Sequence, residues 1–181
     1  LDALQESERV RMAREADLLL PTIVSRCQHI PLRPLSVRTV ERALIERWGA
    51  TAQQAELLAH LSSGRLGWAV CNLEDEKALA RRGERLNDLD HLIHASIIKR
   101  FDYADGLARD PVATGETLDL WIGWWRDVLL VASHANAAVT NVDRLGQLEE
   151  HARRFGIEAS ARVIKALRAS LEKLRENLNS R

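Results

Sequence analysis

PVATGETLDLWIGWWRDVLLVA, residues 111–132, is the most apolar segment of the chain, and its reading decides the fold. Leu118, Trp121, Trp125, Val128 and Ala132 recur at spacings of three and four, the period of one helix face. Ile122, Trp124, Leu129, Leu130 and Val131 fill much of the remaining circumference. A helix apolar almost all round belongs at the centre of a bundle, surrounded by others. Trp121, Trp124 and Trp125 together resemble a stacking platform for bases. They follow the core period, however, and no basic groove accompanies them, so core packing is the stronger reading. Arg126-Asp127 follows directly and reads as an ion pair, buried or at the bundle's end.

Both flanks of this segment are helical in pattern. Downstream, 136–140 reads as a loop, and Thr140-Asn141-Val142-Asp143 as the cap of the next helix. That helix carries Leu145, Leu148, Ala152 and Phe155 on its core face and ends at Gly156. A last helix shows Ile164, Leu167, Leu171, Leu174 and Leu178 in a heptad-like seam, with Arg168 and Glu172 spaced as an i,i+4 pair. Upstream, Leu79, Leu86, Leu89 and Ile93 mark a long helix. Ser96 restarts the chain as a cap before Ile97, Phe101, Ala104 and Ala108. His91 and His94 stand close to one turn apart, but two ligands without a third make a poor metal site.

Further upstream lie three short helices. Ser36 caps the first, which runs through Trp48 with Val37, Val40, Leu44 and Trp48 on one face and stops at Gly49. Thr51 opens the second and forms a capping box with Gln54. Leu58 and Leu61 anchor it until Ser62-Ser63-Gly64. Leu66, Ala69, Val70 and Leu73 give the third its core spacing. Glu74 to Lys77 is a charged joint leading into the long helix.

The composition limits the functional classes. Twenty-six Lys and Arg balance 26 Asp and Glu, so the 181-residue chain has no electrostatic footprint for DNA by itself. Cys27 and Cys71 are far apart, encode neither a disulfide framework nor a zinc site, and read as small buried hydrophobes. No apolar run reaches the roughly 18 residues of a membrane helix, and no signal-peptide pattern opens the chain, which points to a cytoplasmic protein. No Gly-rich phosphate loop ending in Lys-Ser/Thr is present, nor an acidic run to hold magnesium. The chain has no nucleotide pocket, no cofactor or metal of its own, and no catalytic site complete in itself. It begins at Leu1 rather than methionine and reads as a fragment.

One stretch remains, LLLPTIVSRCQHIPLRPL at 18–35. Pro21 suits the first turn of a helix. Ile23 and Val24 are expected to pack inward while Ser25 and Arg26 close the turn. Cys27, Ile30 and Leu32 read as a strand packed on at least one face. Before it, 1–15 is charged and expected to be helical, with Leu1, Leu4 and Met12 partly buried. On composition alone Arg26 is a surface arginine in an ion pair. In this context it is a rigidly aimed cation, suited to a phosphate.

The stretch LLLPTIVSRCQ resembles the Ser-Arg-Cys motif of clamp-loader AAA+ proteins. Ser63-Gly64-Arg65-Leu66-Gly67-Trp68 falls where those ATPases carry their sensor-2 helix, with Gly67 in place of the phosphate-sensing arginine. Gly67 also reads as a site of close helix packing. Trp124-Trp125-Arg126-Asp127, Thr140-Asn141-Val142-Asp143 and Glu176-Asn177-Leu178-Asn179 are similar to the collar of one branch, the delta-prime class of bacterial DNA polymerase III subunits. In that class the collar continues with one more apolar helical stretch.

The resemblance covers about 16–181 and implies an all-α architecture in three parts. Residues 1–35 would be a remnant of the α/β AAA+ core, 36–74 a three-helix lid, and 75–181 a helical collar for oligomerisation. It implies a subunit that binds no ATP but joins the gamma/tau and delta subunits to load the sliding clamp onto primed DNA in replication. ATP and magnesium would sit on the neighbouring subunit, and Arg26, within the motif Ser25-Arg26-Cys27, would reach them as a trans arginine finger. The assembly as a whole would be a DNA-binding nucleotidyltransferase. Two alternatives stand beside it: an ATP-binding motor subunit of gamma/tau or replication-factor-C type, and a helical scaffold without a nucleotide role.

Overall fold

A computed structural model describes residues 20–26, 32–135 and 138–179. Two compact units divide the chain, Leu1–Arg33 and Pro34–Arg181. Every regular element among the described residues is helical, in agreement with the all-α reading.

In the first unit Pro21–Val24 forms a single turn, α1, with the proline at its start. Val24 is 37% exposed and Leu20 more so, which corrects the expectation that Val24 packs inward. The helix expected over 1–15, together with Cys27, Ile30 and the side chain of Ile23, lies outside the described residues. Leu32 lies in irregular chain and is 85% exposed, so it does not pack as the end of a strand.

The second unit opens with three helices: α2 (Val37–Trp48), α3 (Ala52–Leu61) and α4 (Leu66–Glu74). Their ends are fixed by local chemistry. The Ser36 hydroxyl accepts the Thr39 N–H, and Gly49 closes α2 in the left-handed region, where a Cβ would be strained. Thr51 and Gln54 form the reciprocal capping box. Val40, Leu44, Ala55, Leu58, Ala59 and Ala69 are fully buried and make the small core of this trio. Cys71 is on the other side of α4 and exposed, which corrects its reading as a buried hydrophobe. It is two residues from Ala69, about 200° around the helix.

Beyond Asp75 come α5 (Glu76–His94), α6 (Ile97–Leu107), α7 (Pro111–Ala132) and α8 (Leu145–Asn179), with a 3-10 turn at Val142–Arg144 before α8. Gly156, at φ 64°, breaks the helical path of α8 where the sequence places a helix end. As expected, α7 is central. Trp124, Trp125 and Val128 pack with Leu86 and Leu89 of α5 and Leu148 and Ala152 of α8. The tryptophans are core residues, with Trp125 edge-on to Phe155 at 5.1 Å. Leu171 is buried farther along α8, whereas Leu145 is exposed. Arg168 and Glu172 form no ion pair; the i,i+4 pair on this helix is Arg162 with Glu158, at 3.9 Å.

α6 departs most from the sequence pattern. It has no buried residue, and Ile97, Ile98 and Phe101 are each more than 60% exposed. Its inner face is instead polar and aromatic. Tyr103 stacks on Trp121 at 5.8 Å and donates to Asp88, while Arg100 donates to the Leu92 and Ile93 carbonyls at the end of α5. Burial and the neighbouring Asp88 carboxylate push the Tyr103 phenol up to about 12.

Candidate functional site

Arg26 is exposed, two residues past the end of α1. The turn under it is held by the Val24 N–H on the Leu20 carbonyl and the Ser25 N–H on the Pro21 carbonyl, at 3.2 and 3.0 Å. The Ser25 hydroxyl adds a 3.4 Å bond to the Thr22 carbonyl. So the serine of the Ser-Arg-Cys motif serves the turn, and the guanidinium is left at the surface. Arg26 makes no ion pair with any described residue. Cys27 lies outside the described residues.

Gly67 occupies the first turn of α4 and is exposed; a Cβ built on it meets nothing within 4 Å. Close helix packing does not account for this glycine, which corrects that reading. The structure leaves room for a side chain at Gly67. Arg65 is aimed elsewhere. Its Nε donates to the Ser62 carbonyl at 3.0 Å, and its guanidinium lies 6.0 Å from the Trp68 ring centroid.

The nearby glycine with a steric role is Gly64. It is buried at φ +81°, and a Cβ there would collide with the Leu35 carbonyl oxygen. Its own carbonyl accepts the Leu35 N–H at 3.0 Å, and its N–H donates to the Ser62 hydroxyl at 3.2 Å. The Ser62-Ser63-Gly64 break therefore clasps the chain as it enters α2.

The two collar-like motifs converge on one carboxylate. Asp127 is fully buried, and its Oδ2 accepts four bonds from the following loop. The donors are the Thr140 N–H at 2.9 Å, the Thr140 hydroxyl at 2.8 Å, the Asn141 N–H at 2.8 Å and the Asn141 amide at 2.7 Å. Arg126 stands 3.4 Å from Oδ1 with its side chain half exposed, so the expected ion pair is the minor contact. Nor does Thr140-Asn141 cap α8; its polar groups turn back onto α7. Asp143 forms a two-pronged pair with Arg82 of α5 at 2.8 and 2.9 Å, and Arg82 also donates to Asn141 at 2.6 Å. Arg144 then reaches Asn87 and the Gly83 carbonyl. These partners are 13 or more positions apart, beyond the reach of local sequence patterns.

A second buried polar chain crosses the same bundle. Trp124 donates to His151 Nδ1 at 3.1 Å, which assigns the His151 proton to Nε2, 3.1 Å from Asp90. On the surface at the α4–α5 joint, the Arg81 guanidinium holds the Asp75 carboxyl below the usual carboxylate range. His94 lies against Arg154, and no group of three metal-ligating side chains occurs among the described residues. No described helix is long and apolar enough to cross a membrane.

The chain is similar to DNA polymerase III subunit delta' of Bacillus subtilis (strain 168). The two are 25% identical over 183 aligned positions, which take in 97% of this chain and 54% of that protein. The chain thus spans about half the length of the curated relative it matches. No protein-family model matches the chain, and no solved structure matches it.

Proposed function

We propose that this chain is the lid and collar part of a clamp-loader subunit of the non-motor, delta-prime type. It works in the cytoplasm within a polymerase III assembly that acts on primed DNA. Its partners are the gamma/tau and delta subunits, met through the bundle from α5 to α8, and through them the sliding clamp. The observation that carries the reading is the exposed Arg26 at the end of a short, internally bonded turn. Similarity to a delta' subunit along nearly the whole chain supports it.

In this reading ATP and magnesium belong to the neighbouring motor subunit, in keeping with Gly67 standing where a motor subunit would carry its sensor-2 arginine. Arg26 reaches the γ-phosphate from outside. A guanidinium is always charged and engages two phosphate oxygens at once, so it favours the charge that spreads over the transferred phosphoryl group. A finger supplied by another chain makes hydrolysis depend on correct assembly. Gly67 disfavours the reading as a motor subunit.

Assembly is the first test. Mixed with the motor and delta subunits of its own source, the chain should co-elute with them in size-exclusion chromatography, and Arg26→Ala should co-elute equally. A chain that stays separate from those subunits contradicts the proposal.

A further inference from the structure

The lid trio and the collar bundle have separate hydrophobic cores. Their covalent joint is one non-helical residue, Asp75, between the end of α4 and the start of α5. Leu79, in the first turns of α5, packs against the lid core. A joint of this kind, with two independent cores, is a natural pivot. A second tie crosses it away from the joint. The His60 Nδ1 of α3 donates to the Val139 carbonyl at 3.2 Å, and Val139 is buried within the collar core.

Val139 sits directly before the two residues that Asp127 holds. The sequence of contacts runs from α7 through Asp127 to Thr140 and Asn141, then to the adjoining Val139 carbonyl, and finally to His60 in the lid. Arg82 fastens the same loop to α5 through Asp143 and Asn141. We propose that the 138–144 loop is a strut that stops the lid from turning about Asp75, with Asp127 and Arg82 as its collar anchors and His60 as its lid contact. Two points of attachment remove the rotation that one would allow. A carboxylate with four donors on a single oxygen fixes the loop backbone, so the Val139 carbonyl is presented in one place. This inference is independent of the role assigned to Arg26.

The test is a distance between lid and collar in the whole chain. Spin labels go on the exposed native Cys71 of α4 and on a cysteine introduced by Glu158→Cys in exposed α8, with Cys27→Ser removing the other thiol. The strut predicts one narrow distance distribution. His60→Ala removes the lid contact. Asp127→Asn keeps the shape of the anchor and takes away its charge. Each is expected to lose the single narrow peak while circular dichroism reports unchanged helical content. A narrow peak that survives His60→Ala overturns the strut, as does a broad distribution in the labelled chain carrying neither change. Should Asp127→Asn fail to fold, His60→Ala decides the question alone.

Discussion

Two stretches that each set an arginine beside apolar residues behave in opposite ways in the fold. Trp124, Trp125 and Asp127 are buried in the bundle of α5, α7 and α8 while Arg126 between them is half exposed, and the acid is enclosed by donors from a loop. Thr22-Ile23-Val24-Ser25-Arg26 is one helical turn with three local hydrogen bonds and an exposed guanidinium. A motif whose buried carboxylate is held by four donors of the same chain works for the fold. An exposed cation on a short, locally bonded turn adds little to the fold, and its chemistry is available to something outside. The difference separates stability from function more clearly than either sequence pattern does.

Substitutions that test this contrast are ranked by their effect on stability. Asp127→Ala is expected to cost the most, about 3–5 kcal/mol, because four donors in the interior lose their acceptor at once. Chemical denaturation would measure it, and a cost near that of a surface change would remove the distinction. Gly64→Ala is expected to cost about 2 kcal/mol or more, from the left-handed backbone together with the collision at Leu35. Its signature is a lowered denaturation midpoint with an unaltered slope.

The Tyr103 phenol gives a pH test with a definite sign. Its folded value, about 12, lies above the ordinary 10.0, so folding favours the neutral form. That stabilisation is complete below about pH 10 and is lost as pH rises through about 12. Two pKa units would correspond to about 2.7 kcal/mol, and solvent screening of a half-exposed group reduces this to about 1 kcal/mol. Tyr103 is the sole tyrosine of the chain, so phenolate absorbance should appear late in the native chain and return to the ordinary range when the chain is unfolded in denaturant. Gly67→Ala should stabilise by roughly 0.5 kcal/mol, since the position is helical and open. The smallest effect belongs to Arg26→Ala, within about 0.5 kcal/mol of zero, as for an exposed side chain away from the core.

The helices are legible in the sequence because their ends are chemically marked. Ser36, the Thr51–Gln54 box, Gly49, Ser96 and Pro111 each act within four residues of where they stand, and local pattern is enough to find them. The core of α7 is legible for a related reason, since an almost wholly apolar circumference leaves no face for water. Ile97 and Phe101 show where that logic stops. Periodicity records that a helix has an apolar face but not whether another element covers it, and on α6 the covered face is the one with Tyr103 and Arg100.

The Asp127 hub is hidden for a different reason. Its partners come from a loop 13 and 14 residues away, whereas the sequence offers Arg126, the adjacent cation, as the obvious partner. Two motifs that stand apart in the sequence are halves of one contact. Of the candidate site, Arg26 is exposed at the end of its turn. The packing role given to Gly67 belongs to Gly64.

The most direct test of the central claim is ATP hydrolysis in the assembled clamp loader, measured with the wild-type chain and with Arg26→Ala at equal incorporation. If Arg26 is the finger, the complex forms normally and hydrolysis at the one site it serves falls by a factor on the order of 10³ or more, which lowers the total rate by that site's share. Equal rates in the two complexes would contradict the account.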